Sequence, residues 1–406
     1  DNFFKSAMVI LITYKLAEEA GVDARILVTV AAGVFILPFV LFSALAGQLA
    51  DKYERSRLVR KVKIAEIAVM SGAVAGFFLA DITVLMTTLF LMGAQSAFFG
   101  PLKYSILPQH LEESELIGAN ALVETGTFLA ILLGTISGGL FVLGRSGILF
   151  VSALVMGIAV AGWLASLRIP PTRVVSPFLE FRFNIFKETL ALVNSVRPRR
   201  EIFLPVLAIS WFYFVGGTFL SQFPTYAKTV IGADEEVATL FLAVFSIGVG
   251  LGSLTCNSLL KGKITGRYVP GAAAGMAISS VFLYFASGRS PLPEGAPLVS
   301  VWGFMASLPN VLVLLCLLGV SFFGGLYIVP LYAIIQNRSD EDKLASVTAC
   351  TNIMDSLFMV VSSVMTTAML ALGISIPQVF LAMALLTLAA AAILSAAGKT
   401  EGRGVL

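Results

Sequence analysis

The sequence predicts an all-α, polytopic membrane protein of twelve transmembrane helices arranged as two parallel six-helix repeats. Three observations predict it. The 406 residues are 58% hydrophobic and only 13% charged, against about 25% charged in soluble domains. The apolar residues gather into twelve stretches near the ~20 residues that a bilayer core requires. Features of the first six stretches return in the same order in the last six.

Taken in order, the first span (1–17) opens on Asp1-Asn2-Phe3-Phe4 without a Met and already inside an apolar run. No cleavable signal peptide is visible, and this span is expected to be the truncated end of a longer helix. Spans two to six follow at 25–50, 58–81, 83–108, 115–143 and 146–168. The longest polar break, 169–200, separates the two sets of six, and Asn184 there is placed to cap a short helix. With Ile185, Thr189 and Leu192 on one face, that helix is expected to lie on the inner leaflet. Spans seven to twelve occupy 201–228, 236–261, 266–287, 309–337, 342–372 and 375–397. Between the ninth and tenth, residues 288–308 carry Pro291, Pro293 and Pro297 and then Trp302-Gly303-Phe304-Met305. This reads as an outer loop with its aromatics at headgroup level. The expected organisation is a first bundle 1–168, a linker 169–200, a second bundle 201–398 and a tail 399–406.

Charge placement orients the chain. If the first span runs outward, the inner loops hold Lys52, Arg55, Arg57, Arg60, Lys61, Lys63, Arg168, Arg173, Arg182, Lys187, Arg197, Arg199, Arg200, Lys261, Lys263, Arg267, Arg338 and Lys343. The outer loops hold Lys15, Arg25, Arg145, Lys228 and Arg289. Basic residues collect on the cytoplasmic side, so both termini are expected there. A net charge of +3 gives no argument for nucleic acid. One histidine and three scattered cysteines make a metal site and a metal cofactor unexpected. No phosphate-cradling Gly-x4-Gly-Lys loop occurs, which excludes ATP-driven transport by this chain. His110-Leu-Glu-Glu-Ser-Glu115 has a Glu where acyltransferases use Asp, and it lies in an inner loop, so no enzyme activity is expected.

The halves resemble each other. Phe98-Phe99-Gly100 recurs as Phe322-Phe323-Gly324, each followed by an in-helix proline (Pro101, Pro330), an acidic loop and a small-residue helix. Gly47-Gln-Leu-Ala-Asp51-Lys52-Tyr-Glu54-Arg55-Ser-Arg57 resembles the inner-loop signature of the major facilitator superfamily, whose halves are parallel repeats. Asp51 is then expected to take a helix N-terminus or an Arg and lock one state, with Gly47, Arg55 and Arg57 as its switch loop. Glu54 stands where the signature has its second glycine. The stripes Gly134-x3-Gly138 and Gly248-x-Gly250-x-Gly252 are expected to form the seam between halves.

Pro101-Leu-Lys103-Tyr104-Ser-Ile106-Leu107, Ala119-Asn120-Ala-Leu122-Val-Glu124 and Ala130-Ile-Leu-Leu-Gly134 are more specific. They resemble the bacterial lysophospholipid transporters of the LplT type, as do Asp1-Asn2, Val329-Pro330-Leu331-Tyr-Ala333-Ile-Ile-Gln336 and Asn352-Ile-Met-Asp355. The opening Asp-Asn-Phe-Phe-Lys5 is similar to members fused to acyltransferase and acyl-carrier-protein ligase domains. The resemblance implies a secondary carrier that flips lysophosphatidylethanolamine and lysophosphatidylglycerol from the outer to the inner leaflet of the bacterial inner membrane. There an acyltransferase, fused or separate, restores the second chain.

Charge inside a span costs about 2.5–3.5 kcal/mol at a helix centre, so each instance calls for a role. Lys103, assisted by Tyr104, is the candidate for phosphate, or it pairs with Glu124. Asp1 and Lys5 share a face at i,i+4. Asp1 and Asp355, with Asn2 and Asn352 nearby, are candidates for a head-group amine, a proton or Na⁺. Asn120 and Gln336 enter as implied cavity residues. Trp211 and Gln222 belong to a seventh span whose aromatics are candidates to grip a tail or line a lateral gate. Three other readings stay open: internal ion pairs that only orient helices, a carrier of a water-soluble solute or drug, and a non-transporting anchor for lipid enzymes.

Overall fold

A computed structural model describes residues 1–17, 21, 23–144, 146–288 and 298–399. Pro291, Pro293, Pro297, Arg145, Arg289 and all but the first residue of the 399–406 tail lie outside the described residues.

Helices dominate, in this order: α1 (Asn2–Leu11), α2 (Ala24–Lys52), α3 (Arg55–Leu79), α4 (Ile82–Ser105), α5 (Leu116–Phe141), α6 (Gly147–Ser166), α7 (Ile185–Val196), α8 (Arg200–Thr225), α9 (Glu235–Leu260), α10 (Val269–Ala286), α11 (Leu308–Arg338), α12 (Leu344–Ala371) and α13 (Ile376–Lys399). Among the described residues, eleven of these are long and apolar enough to cross a membrane. Even with the π-helical turn Ile12–Leu16 that continues it, α1 is shorter than those eleven. Large apolar side chains such as Leu79, Leu133, Leu140, Phe285 and Val364 point outward. Water would reject such a surface, and hydrocarbon accepts it.

Local chemistry sets the helix starts. The Asp81 carboxylate accepts from the N–H groups of Thr83 and Val84 at the head of α4. Asp234 does the same for Glu236 and Val237 at α9. Each fills donors that a helix end leaves open. Asn184 accepts from Lys187 N–H and starts α7, whose Ile185, Thr189, Leu192 and Val196 turn inward while Phe186 and Leu190 are exposed.

The helices gather into two compact units that do not follow chain order. One contains Asp1–Leu111, Leu133–Arg200 and Arg338–Ser356; the other contains Glu112–Leu132, Glu201–Asn337 and Leu357–Leu406. The first unit is built on Phe3, Phe4, Met8, Phe77, Leu85 and Met92, with Phe4 edge-on to Phe77 at 5.6 Å. The second is built on aromatics, with Phe219 stacked on Phe380 at 4.3 Å and Phe245 against Phe223 and Phe128.

Two expectations change here. Gly134 and Gly138 face Phe3 of α1, so this stripe seats α1 on α5 rather than joining two halves. Likewise Gly248 and Gly252 receive Ser321 and Phe322 of α11, and of the three glycines it is Gly250 that faces α5, at Thr125. A stripe of small residues shows where backbones approach, not which partner arrives. Phe304 also departs from the headgroup reading. The Ser300 hydroxyl caps the short helix Val301–Met305, and Phe304 plugs into the core against Phe241 at 5.7 Å. Trp302 stays 85% exposed.

Candidate functional site

The Gly47–Asp51 turn of α2 lies against the head of α12. A Cβ on Gly47 would sit 2.8 Å from Ala349 Cβ and from Ser346 Cα, so only glycine lets these backbones meet. One turn later the Asp51 carboxylate accepts the N–H of Ala345 at 3.0 Å and of Ser346 at 2.9 Å. Asp51 thus caps α12, where the helix dipole favours an anion. Arg55 is fully buried beside it. Its guanidinium donates to Asp51 Oδ1 at 3.2 Å and to the carbonyls of Ala50 at 3.1 Å, Ser105 at 2.8 Å and Glu341 at 3.3 Å. One side chain therefore serves the terminal carbonyls of α2 and α4 together. Arg57 points out to solvent and pairs with Glu54 at 2.8 Å.

Glu54 holds the linker. Its carboxylate accepts from Thr172 N–H at 3.1 Å, from the Thr172 hydroxyl at 3.3 Å and from the Ser56 hydroxyl. In return Thr172 Oγ1 accepts the N–H of Arg55 at 2.9 Å and of Ser56 at 3.3 Å, capping α3 from the linker. Burial pushes the Glu54 pKa up, but Ser56, the Thr172 backbone, Arg57 and the Thr172 hydroxyl outweigh it and hold the group below its ordinary value. Farther along, Ser176 N–H donates to the Asp51 carbonyl at 3.1 Å, and the Ser176 hydroxyl donates to the Asp342 carbonyl at 3.3 Å. Arg182 N–H and Glu188 both bond Gln48, and Arg199 pairs with Asp340 at 2.6 Å.

In the second unit Asn120 and Gln336 face each other in the interior. Asn120 Nδ2 donates to Gln336 Oε1 at 2.6 Å, and Gln336 Nε2 donates back to Asn120 Oδ1 at 3.2 Å. Glu124, one turn on, is fully buried in the same unit. Lys103 belongs to the first unit, its ammonium 4.5 Å from the centre of the Tyr104 ring. Asn352 lies against Gly100, and Asp355 follows it, buried, along α12.

The first unit also joins residues that sequence reasoning left apart. Ser96 Oγ donates to Asp1 Oδ2 at 2.6 Å and stands 3.3 Å from Gln95 Oε1. Gln95 Nε2 donates to Glu66 Oε2 at 2.9 Å, which also takes Lys63 Nζ at 2.7 Å. Lys63 caps the Phe99 ring at 4.6 Å, and Lys5 lies 5.2 Å from the Phe35 ring. Lys63 is therefore no loop residue; it lies two turns into α3. The i,i+3 pair Lys63–Glu66 inside the third span was the signal that could have found it. Asn2 packs beside Gly134 on α5.

Aromatics of α8 are core, which replaces both a tail grip and a lipid-facing wall for most of them. Phe212, Phe214, Phe219 and Phe223 are buried, as is Tyr226 in the π-helical turn that follows. Trp211 is half-buried, stacked on Phe214 at 4.8 Å with its indole N–H on Thr387 at 3.2 Å. Gln222 bonds only its neighbour Ser221 among the described residues, at 3.4 Å. No metal-holding group of three or more His, Cys, Asp or Glu exists among the described residues.

Comparison with known proteins adds the family and the fold. The family described as the Major Facilitator Superfamily matches residues 2–318. A lysophospholipid transporter LplT of Klebsiella pneumoniae subsp. pneumoniae is 29% identical over 311 residues, covering 75% of this chain and 70% of that protein. One from Cronobacter sakazakii is 26% identical over 309 residues, covering 75% and 70%. The E. coli fucose:proton symporter FucP superposes with a TM-score of 0.69 at 14% identity, over 97% of this chain and 95% of that one. The proton:xylose symporter XylE gives 0.68 at 14%, over 97% and 92%.

Proposed function

The chain belongs to the Major Facilitator Superfamily, and from that premise we propose that it is a lysophospholipid carrier. It takes lysophosphatidylethanolamine and lysophosphatidylglycerol from the outer to the inner leaflet of a bacterial inner membrane, where an acyltransferase or acyl-carrier-protein synthetase, fused or separate, uses them. Both termini face the cytoplasm in this reading, and α7 lies on the inner leaflet.

The observation that carries it is the meeting of residues from motifs that resemble those of the LplT type. Asn120 and Gln336, from separate motifs, hydrogen-bond each other; Gly47 and Asp51 seat the helix that carries Asn352 and Asp355. The curated relatives bearing the lysophospholipid transporter name support the same cargo. Movement is by alternating access: bodies 1–168 and 201–398 rock, and the Asp51 cap on α12 and the Asn120–Gln336 pair are made and broken in each cycle. Lys103 and Tyr104 receive the phosphate while the acyl tail stays in lipid through a lateral opening. Asp1 and Asp355 take a head-group amine, Na⁺ or H⁺.

Proteoliposomes test this. Labelled lysophospholipid should cross leaflets faster with the purified chain than without it, and Asp51→Ala should abolish the gain. Uptake of a water-soluble solute with no lysolipid movement would defeat the reading. Running the assay with and without a Na⁺ gradient separates the two ions.

A further inference from the structure

The bonded chain Asp1–Ser96–Gln95–Glu66–Lys63, with Lys5 one turn from Asp1, places two carboxylates and two ammonium groups in one unit across α1, α3 and α4. Ionised, they sum to zero. Lone charges at this depth cost about 2.5–3.5 kcal/mol each, and apolar residues of like volume are often as stabilising as a buried ion pair. Stability alone does not account for keeping four.

The cluster also holds unused capacity of both signs. Lys63 gives one of its three donors to Glu66. Lys5 makes no side-chain hydrogen bond among the described residues and rests on the Phe35 ring. Asp1 commits one oxygen, Oδ2, to Ser96. An incoming phosphate can take the ammonium donors while an incoming ammonium takes the carboxylates. A zwitterion makes both exchanges at no change in net charge. An anionic head leaves one uncompensated negative charge in a weakly screened interior.

We propose that Asp1, Lys5, Lys63 and Glu66 form a subsite that reads zwitterionic phosphate head groups by charge balance, with Gln95 and Ser96 as positioning residues. This rests on the lysophospholipid reading above. It assigns the phosphate partly to Lys5 and Lys63 and the head-group amine to Asp1 and Glu66.

The experiment compares leaflet exchange of lysophosphatidylethanolamine, which is zwitterionic, and lysophosphatidylglycerol, which is anionic, by the full chain in proteoliposomes. The wild type is expected to prefer the zwitterion. Glu66→Gln makes the cluster net positive and should shift the ratio toward the anionic lipid by about tenfold. The double variant Lys63→Met with Glu66→Gln restores neutrality and should restore the preference at a lower rate for both lipids. If the wild type moves neither lipid, the cargo reading fails and this subsite with it. If the wild type moves lysolipid but the ratio is unmoved by Glu66→Gln, or is not restored by the double variant, the subsite is overturned and the cargo reading stands. Should Glu66→Gln not fold, the double variant and Lys63→Met alone decide. Lys63→Met should disfavour the anionic lipid further, and an unchanged ratio overturns the subsite.

Discussion

The carboxylate of Asp51 receives the backbone N–H of Ala345 across 294 residues of sequence. With Arg55 it forms a buried ion pair in which the guanidinium makes four hydrogen bonds and the carboxylate accepts three. Removing one member leaves the other charge buried alone, at a cost of about 3–5 kcal/mol. Asp51→Ala should therefore lower the melting temperature of the purified protein more than substitution of an exposed residue such as Arg57→Ala. Equal melting temperatures for the two variants would show that the pair is idle.

Gly47 admits the first turn of α12, and Cys350, one residue past Ala349, is fully buried there. With Cys256 and Cys316 replaced by Ser, Gly47→Leu should raise maleimide labelling of Cys350 about tenfold, the effect of ~1.4 kcal/mol on local opening. Labelling at the wild-type rate would mean that α12 keeps its seat despite the added side chain.

Asn120 and Gln336 bond one another reciprocally, so losing either removes two buried hydrogen bonds at once. Each single change to Leu should cost about 1–3 kcal/mol. The double change should cost less than the sum, with a coupling of about 0.5–3 kcal/mol. Thermal unfolding of the four proteins measures it, and strict additivity would contradict the reciprocal bond.

Glu54 is held below its ordinary pKa of 4.5. A depressed carboxylate contributes stability that is fully present above its unfolded value and is lost as pH falls through the folded one. The gap in melting temperature between wild type and Glu54→Gln should be constant above about pH 5 and shrink progressively as the pH falls below it. A gap that does not shrink on acidification would refute the assignment.

Phe178, Phe183 and Phe186 are 96%, 75% and 78% exposed along and before α7, close to Arg182 and Lys187. Paramagnetic relaxation of a spin label at position 186 should report lipid-soluble oxygen over a water-soluble reagent. The reverse ranking would place this helix in water.

Much of the architecture is legible because hydrocarbon imposes one rule on every span, and the span limits follow from counting apolar residues. Asp51 was legible too, because Gly47-x3-Asp51 followed by basic residues resembles the superfamily's inner-loop signature. Arg55 was named with it in the switch loop, but its reach was not legible, since a basic residue in an inner loop is already explained by the positive-inside rule. Nothing in its spacing says that it reaches the terminal carbonyl of α4. Glu66 escaped because Lys63 looked like loop charge, which removed its partner from view. The α8 aromatics were ambiguous for a deeper reason. In water, an apolar face must be core; in lipid, core and exterior prefer the same side chains, so Phe219 and Phe223 carry no label of direction.

Thr172 and Ser176 make their ties before residue 177, while Arg182, Glu188 and Arg199 make theirs after residue 180. The stretch 177–180 therefore transmits no described bond of its own between neighbouring elements. Cutting or lengthening the chain at that point severs none of the described clasps, and two polypeptides meeting there would inherit those on either side.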